Sequence, residues 1–331
     1  MKQIKSGQKQ GLSGRQTLAF WLCGGAIVIT LLAVSIRSIS SGYFDSFVRR
    51  EASASTATSY FQGMLPTEAE QALLAPLQED WDSFRNRRLA DEVSVTAKDG
   101  AVLWGDYYDE GGSILVVFLH HYDGSRRDDF LAASFFEGCN LLLPDARNHG
   151  ASGGSFSGFG VLEAEDLLCW LDWVEENQPE QRVILYGVGM GGVTALLAAE
   201  RGLPESVAFL VAESPYASLD AIAKHLLMQS YKVPMFPFYN LMQWQLGRSG
   251  AGYATDEVDL LQLKQASLPV LFLMGAADIH VPPEQTQAVY DSYPGPKELI
   301  EQQAGYGAVY AVGQHEIDGA LSRWMNTYLL D

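Results

Sequence analysis

Continuous apolar runs and amphipathic segments alternate along most of this 331-residue chain. Runs of five to seven apolar residues between helical segments are typical of strands that are buried on both faces. The pattern therefore predicts an α/β protein, with a mostly parallel central sheet and helices on both of its faces. The apolar runs are SILVVFL, NLLLP, RVILYG, VAFLVA and PVLFLMG, and residues 161–174 and 191–201 form two of the intervening helical segments.

Two local patterns precede these runs. Residues 91–110 alternate apolar and polar positions on either side of Asp99-Gly100, which predicts a β-hairpin. Upstream, Thr67 and Glu70 have the spacing of a capping box, in which each side chain bonds the backbone amide of the other residue. We expect this box to open a helix that runs toward Phe84 and packs on the domain.

An apolar segment without a single charge occupies residues 17–36. Its twenty residues would span roughly 30 Å as a helix, which is the thickness of a bilayer's hydrocarbon core. Four basic residues and no acidic one precede it, so the positive-inside rule places residues 1–16 in the cytoplasm. The sequence thus predicts a single-pass protein of the cell membrane, with a connector over residues 37–65 and an extracytoplasmic domain over residues 66–331.

A cleaved signal peptide is the alternative interpretation of this segment. The apolar run is longer than a usual signal-peptide core, and no clear A-x-A site follows it. These two features favour an anchor.

Charge narrows the range of partners. Five of the 22 basic residues precede residue 38, whereas all 40 acidic residues follow it. The chain from residue 38 onward therefore has 17 basic and 40 acidic residues, a net charge of −23. A domain of this charge repels nucleic acid and anionic lipid surfaces, and we expect it to bind neither. Cys139 and Cys169 lie in this domain, and the sequence is compatible with either a disulfide or two free thiols.

The region of about residues 216–266 interrupts the alternation of strands and helices with aromatic and methionine residues. It predicts a helical cap inserted over the carboxyl ends of the strands, where α/β proteins bind their ligands. We call this region the cap.

Several short motifs occur in a characteristic order from about Tyr43 to the C-terminus. They are FLHHYDGSRRDDF, LLPDARNHGASGG, LYGVGMGG, ESPYASL and PVLFLMGAADIHVP. Together they resemble bacterial membrane-anchored α/β-hydrolase fold proteins of the serine aminopeptidase-like kind, and are also similar to dienelactone hydrolases and acyl-CoA thioesterases. The resemblance implies the α/β-hydrolase fold.

The same resemblance implies a catalytic triad of serine, aspartate and histidine, in that chain order. Gly189 occupies the nucleophile position, at the centre of the elbow Gly187-Val188-Gly189-Met190-Gly191. Asp278 matches the acid position, whereas Tyr306 stands where the histidine is expected. The elbow holds its central residue at positive φ, which glycine adopts without strain. We therefore expect the turn to persist without its nucleophile.

Other parts of the site are retained in the pattern. The amides of Tyr122 and Met190 match the oxyanion-hole positions of the family, and His120, His121 and His280 are candidates for the lining of a pocket. The histidine spacing matches no known metal-ligand pattern, and we expect neither a metal site nor a cofactor.

Two functions are compatible with these residues. The first is a non-catalytic protein, a pseudoenzyme, that binds a small acyl or peptide-like ligand or an envelope protein. The second is an active hydrolase of ester, thioester or peptide bonds with a rearranged site, in which His120, His121 or His315 acts as the base. The paired loss of serine and histidine favours the first.

Overall fold

The computed structural model describes residues 14–49, 67–128, 130–229, 232 and 234–329, and contains an eight-stranded sheet flanked by helices. The strands are β1 (Asp91–Thr96), β2 (Val102–Tyr108), β3 (Ile114–Leu119), β4 (Asn140–Pro144), β5 (Arg182–Val188), β6 (Val207–Glu213), β7 (Val270–Gly275) and β8 (Lys297–Gln302). The α-helices are α1 (Gly14–Phe44), α2 (Glu68–Arg87), α3 (Val161–Asn177), α4 (Met190–Arg201), α5 (Leu219–Gln229), α6 (Met235–Ser249), α7 (Pro283–Ser292) and α8 (Val309–Tyr328).

The strand order is β1-β2-β4-β3-β5-β6-β7-β8. Strands β3 to β8 are parallel, and the β1–β2 hairpin joins this parallel part through an antiparallel pairing of β2 with β4. The predicted hairpin is confirmed, since Thr96 pairs with Val102 across Asp99-Gly100. The mostly parallel sheet is confirmed as well.

Side chains of the central strands alternate between two cores, one on each face of the sheet. In β3, Leu115 and Val117 face the core beneath α3, α4 and α7, whereas Val116 and Phe118 face the core beneath α2 and α8. Every residue of β4 and β6 is buried, which explains the unbroken apolar runs. Cys139 precedes β4 and Cys169 lies in α3, and both are free thiols.

Helix α2 begins with the predicted capping box. The Glu70 amide donates to Thr67 Oγ1 (3.2 Å), and Glu70 Oε2 accepts from the Thr67 amide (2.7 Å). The other carboxylate oxygen, Oε1, accepts from the Gly305 amide at 2.6 Å. Glu70 therefore ties the start of α2 to the loop that follows β8, in which the predicted base position lies.

Helix α1 contains the predicted apolar segment and is longer than the sequence suggested. Its stretch most suited to crossing a membrane is Trp21–Gly42, which is exposed on the protein surface and compatible with a membrane anchor or a signal sequence. The helix runs through the residues where we expected a connector and continues into a π-turn, Asp45–Arg49. Residues 1–13 of the predicted tail and 50–65 of the predicted connector lie outside the described residues.

Packing against the rest of the protein explains why α1 continues. Ser40 Oγ donates to Gln245 Oε1 (3.3 Å), and Gln245 Nε2 donates to Ser41 Oγ (2.7 Å), so the end of α1 is held along α6. Phe44 and Val48 are buried in the core, and the Val48 carbonyl accepts from the Ser157 amide at 2.8 Å. Local sequence carries no signal of these long-range contacts.

The region between β6 and β7 contains α5 and α6 followed by two short 3₁₀ turns, Thr255–Glu257 and Leu260–Gln262. Helix α6 lies against both α5 and α1. The cap thus connects the apolar N-terminal helix to the edge of the sheet at which the parallel strands end.

The Glu70 contacts generate a first prediction. Replacing Glu70→Gln should lower the free energy of unfolding at pH 7 by about 1–2 kcal/mol, because a neutral amide accepts the Thr67 and Gly305 hydrogen bonds less strongly. Burial opposes ionisation of Glu70, but the bonds from Gly305 and Thr67 outweigh burial and hold the pKa below its ordinary value of 4.5. The contribution of the charge is therefore present above pH 4.5 and lost as the pH falls through the lowered value.

Chemical denaturation of the variant and the wild type at pH 7 and pH 3.5 measures this difference. Glu68→Gln is the matched control, since Glu68 lies in the same helical turn but is exposed. An equal loss in the two variants would show that helix-dipole charge, rather than the capping box, is responsible.

Candidate functional site

The predicted elbow forms a tight turn between β5 and α4. Gly189 has φ 53° and ψ −111°, a conformation that only glycine adopts without strain. A Cβ on Gly187 would lie 2.4 Å from the carbonyl carbon of Gly191, and a Cβ on Gly191 would lie 2.0 Å from the Leu119 oxygen. The turn therefore requires glycine on both sides of its centre, as it would around an active nucleophile.

Tyr306 fills the space above the elbow. An ideal Cβ on Gly189 would lie 2.1 Å from the Tyr306 Oη atom and 3.1 Å from its Cζ. The hydroxyl group therefore occupies the volume that any side chain at position 189 would need. The positions predicted for the nucleophile and the base are therefore in contact. The Tyr306 hydroxyl fits against Gly189 because glycine has no side chain.

Asp278 lies in the loop after β7 and is 4% exposed. Its Oδ1 accepts hydrogen bonds from the amides of His280 (2.8 Å) and Val281 (2.9 Å). Its Oδ2 is buried without a hydrogen-bond partner among the described residues. The Ser214 hydroxyl is near enough to lower the pKa of Asp278, but is outside hydrogen-bonding geometry. Burial is the largest influence and raises this pKa to about 6. In a complete triad, the equivalent oxygen would accept a hydrogen bond from the histidine N–H.

A second buried carboxyl group, which sequence reasoning did not single out, ends β6. Glu213 is 3% exposed and accepts a hydrogen bond from the Tyr186 hydroxyl at 3.2 Å. Burial raises the pKa of Glu213 to about 7, and the charge of Asp278 adds to the shift. Burial, followed by the charges of Asp278 and Glu213, also holds the pKa of the Tyr306 phenol well above its ordinary value. Tyr306 is therefore a neutral group at neutral pH. A charged residue at the end of the VAFLVA run was the available signal for Glu213.

The histidines proposed as alternative bases have different environments. His120 is buried, and its Nε2 accepts from the Ala146 amide (2.9 Å), which leaves Nδ1 to donate to the His121 carbonyl (2.7 Å). Both of its ring nitrogens thus hold the strand ends together. His315 is exposed on α8 and does not line the cavity described below.

His121 and His280 both approach the elbow. Their rings lie 6.0 Å and 5.1 Å from the Tyr306 ring, measured between centroids. His121 Nδ1 accepts from the Asp123 amide at 3.3 Å, and Nε2 lies 3.6 Å from Asp128 Oδ2. Within the described part of the chain, no group of three or more His, Cys, Asp or Glu side chains forms a metal site.

His149 supports the loop that carries one predicted oxyanion amide. It is buried, its Nε2 contacts the Tyr122 carbonyl, and its Nδ1 lies 2.8 Å from the Arg147 carbonyl. The Tyr122 ring stacks on Phe159, with the centroids 5.1 Å apart. Met190, which carries the other predicted amide, is the first residue of α4. The sequence around His149 gives no sign of these contacts.

A large cavity lies between the elbow and the cap. Its volume is about 130 Å³, it is open to solvent on one side, and we call it the main cavity. Tyr306, His121, Tyr122 and His280 line the end nearest the elbow. The remaining lining is mostly apolar and comes from the end of α1, from the cap helices and from neighbouring loops; it includes Phe44, Val48, Ile222, Leu226, Met242 and Leu246.

A mostly parallel sheet with a strand–elbow–helix turn and a cap over its carboxyl edge defines an α/β-hydrolase type of protein. The sequence profile of the alpha/beta hydrolase family matches residues 116–327, most of the chain. The protein belongs to this family.

Relatives at the sequence level include bacterial and plant proteins. The Bacillus subtilis protein YqkD, named as uncharacterized, is 31% identical over 181 residues, which cover 54% of this chain and 59% of YqkD. The Escherichia coli K12 protein YfhR, also named as uncharacterized, is 24% identical over 64% of this chain and 71% of its own length. The α/β hydrolase domain-containing protein WAV2 of Arabidopsis thaliana is 26% identical over 46% of this chain and 48% of WAV2.

Solved structures of esterases have the same fold. The Pyrococcus furiosus esterase Pf2001 superimposes with a TM-score of 0.61 and 24% identity, over 75% of this chain and 95% of the esterase. An acetyl xylan esterase from Paenibacillus sp. R4 superimposes with a TM-score of 0.54 and 18% identity, over 77% of this chain and 94% of that enzyme. These superpositions establish that this protein and the two esterases share a fold.

The contact between Gly189 and Tyr306 leads to a second prediction. Gly189→Ala should lower the free energy of unfolding by about 3 kcal/mol or more, because backbone strain and overlap with the Tyr306 hydroxyl act together. Tyr306→Phe removes the overlapping oxygen, so in that background the same alanine should cost about 1–3 kcal/mol less. Urea denaturation of the two single variants and the double variant measures this coupling.

Gly111 provides the control for backbone strain alone. It has φ 72°, and a Cβ there would have no heavy atom within 4 Å. Gly111→Ala should therefore show no coupling to Tyr306→Phe. If Gly189→Ala showed none either, Tyr306 would not occupy the space above the elbow.

Burial of Asp278 gives a third prediction, on pH dependence. Its folded pKa of about 6 exceeds the ordinary value of 3.8. The contribution of Asp278 to stability is therefore most favourable below pH 3.8 and is lost as the pH rises through 6, because folding then buries a charged carboxylate. Asp278→Asn keeps an acceptor for the His280 and Val281 amides but carries no charge. The free energy of unfolding of the variant, relative to wild type, should therefore increase as the pH rises from 4 to 8. The increase over this range should be about 1–3 kcal/mol.

Thermal and chemical unfolding across this pH range measures that gain. Asp256→Asn, at an exposed position of the cap, should leave stability nearly unchanged throughout. A stability difference between wild type and Asp278→Asn that stays constant with pH would contradict the assignment of Asp278 as a raised-pKa carboxyl group.

Proposed function

We propose that this protein is a membrane-anchored, non-catalytic member of the α/β hydrolase family that binds a small acyl or peptide-like ligand in the main cavity. The observation that carries the proposal is the position of the Tyr306 hydroxyl, 2.1 Å from where a Cβ of residue 189 would stand. A nucleophile cannot be placed on the elbow while Tyr306 keeps this position. The neutral phenol is itself a poor nucleophile, since its pKa is raised well above the ordinary value.

The surroundings of Asp278 support the proposal. A triad carboxylate serves to orient and charge-stabilise a histidine, and here its Oδ2 has no partner among the described residues. The acid thus remains without the base on which it would act. Burial of such a group is costly, so Asp278 marks a former catalytic position better than a working one.

The remaining parts of the site suit binding. Met190 begins α4, and a helix N-terminus attracts a carbonyl or carboxylate oxygen through its free amides and dipole. The main cavity is mostly apolar, and Tyr122, which carries the other predicted oxyanion amide, lines it, so the cavity suits the carbon chain of a ligand. The exposed apolar helix α1 supports anchoring, with the cap and the sheet on the outer side of the membrane as the charge pattern predicts.

A hydrolase with a rearranged site is the second candidate. The similar folds of known esterases favour it, and so does His121, which lines the main cavity. Of the three histidines suggested as bases, His120 is held by backbone groups through both nitrogens and His315 lies outside the cavity. His121 is therefore the base that this alternative requires.

A fourth prediction separates the two functions. Full-length protein in lipid nanodiscs should neither hydrolyse p-nitrophenyl butyrate nor react with a fluorophosphonate probe. The double variant Gly189→Ser/Tyr306→His should gain labelling at position 189 and some turnover, because it restores nucleophile and base beside Asp278. Gly189→Ser alone should gain neither, since the Tyr306 hydroxyl still fills the site.

Two further variants complete the design. Asp278→Asn in the double-variant background should reduce the regained turnover, which ties that activity to the triad geometry. Turnover by the wild-type protein that disappears in His121→Ala would instead establish the rearranged hydrolase and refute the non-catalytic assignment.

A further inference from the structure

The main cavity shares a wall with the apolar N-terminal helix. Phe44 ends α1 and Val48 lies in the π-turn that follows, and both are only 5% exposed. Both line the cavity, together with Tyr306 and residues of the cap. The segment that would leave a membrane therefore forms part of the proposed binding site itself.

Hydrogen bonds hold the cap close to the end of this helix. Gln245 of α6 bonds both Ser40 and Ser41, within the last turns of α1. Arg37 follows the uncharged segment by one residue, and at 1.5 Å per residue it lies only about 6 Å along the axis from Ser41. If α1 crosses the bilayer, α6 lies at the level of the lipid headgroups.

The exposed side chains of the cap fit that position. Trp244 is 47% exposed, and the guanidinium carbons of Arg37 and Arg248 lie 5.7 Å and 5.2 Å from its ring centroid. Tryptophan and arginine side chains of this kind are enriched where membranes meet water. Phe236 of α6 is 78% exposed, and Met228 of α5 is 56% exposed. Arg37 and Arg248 thus form a basic cluster around Trp244, beside a domain that is otherwise strongly acidic.

We infer that the main cavity holds the acyl chain of a single-chain membrane lipid, a long-chain fatty acid or a lysophospholipid, which enters from the leaflet in which α1 ends. The inference rests on the proposed function and narrows its ligand class. The residues that line the cavity extend from Tyr306 beside the elbow to Phe44 at the end of α1. The mostly apolar lining favours a hydrocarbon chain, and the shared wall with α1 favours a ligand that resides in the membrane.

Chain length should govern affinity in such a cavity. Each methylene group that is moved out of water raises affinity by up to about fourfold, so binding should strengthen steeply from 8 to 16 carbons. A site for a short soluble acyl or peptide-like ligand would show no such increase.

The experiment uses the full chain in phosphatidylcholine nanodiscs and a palmitic acid probe that carries a photoreactive diazirine in its chain. Illumination should attach the probe to peptides from residues 44–48, α5 and α6. Unlabelled palmitic acid and lysophosphatidylcholine, added separately, identify which headgroup the site accepts, and octanoic acid and a dipeptide test for short ligands. Competition by one or both long-chain compounds, but not by the short ones, supports the inference.

A matched pair of variants on α5 tests whether the chain occupies the cavity. Ala223 lines the cavity, so Ala223→Trp should fill part of it and reduce labelling about tenfold, the equivalent of roughly two lost methylenes. Lys224, the next residue, pairs with Asp220 at 3.0 Å on the surface, and Lys224→Trp should retain labelling. If Ala223→Trp unfolds, the map of labelled peptides in the wild type still decides the question.

Two outcomes would overturn the inference: labelling confined to the exposed face of α1, or equal competition by octanoic and palmitic acids. Hydrolysis of p-nitrophenyl butyrate is measured on the same preparation. Absence of both hydrolysis and chain binding would refute the lipid ligand and leave the non-catalytic assignment standing. Hydrolysis together with palmitate-specific labelling would refute the non-catalytic assignment and leave the cavity's ligand class intact.

Discussion

The volume directly above Gly189 admits one group, and in this protein that group is the hydroxyl of Tyr306. A serine at position 189 needs the same volume for its Cβ, so the residues at the nucleophile and base positions depend on each other. This dependence constrains change in both directions. A serine introduced beside Tyr306 overlaps it, and a histidine introduced opposite Gly189 has no hydroxyl to deprotonate. A triad at this site would therefore require substitutions at both positions, with Tyr306 replaced before or together with Gly189.

The residues around that contact match what a catalytic site of this fold requires. The elbow keeps the flanking glycines that its tight turn demands, and two carboxyl groups, Asp278 and Glu213, remain buried beside it. Both have raised pKa values because burial disfavours their charged forms. A buried carboxyl group lowers stability at neutral pH unless hydrogen bonds offset the cost of removing it from water. In this fold they lie at the carboxyl ends of β6 and β7 and form hydrogen bonds there. Asp278 Oδ1 accepts hydrogen bonds from two backbone amides, and Glu213 accepts one from the Tyr186 hydroxyl.

Patterns confined to neighbouring residues predicted much of this structure. The apolar runs marked β3 to β7, Thr67 and Glu70 marked the start of α2, and Asp99-Gly100 marked the hairpin. Strand β8 lacks such a run because it lies at the sheet edge, where only Ile300 is fully buried. The motif order marked positions 189, 278 and 306 as one site, and in the structure residues 189 and 306 are in contact. Spacing alone could not reveal that the Tyr306 hydroxyl fills the place of a side chain, since this depends on how two loops pack.

The same limitation applies to the end of α1. From sequence, residues 37–49 were a connector between two separate parts of the protein, because Ser40, Ser41 and Phe44 have no local pattern that signals contact. Ser40 and Ser41 bond Gln245, about 200 residues away, and the Val48 carbonyl bonds the Ser157 amide, about 100 residues away. These contacts bring the end of the apolar helix into the cavity wall, where Phe44 lines the cavity. Removal of α1 would therefore expose the lining around Phe44 and Val48 to water, and a fragment without it would not reproduce the binding site of the whole chain.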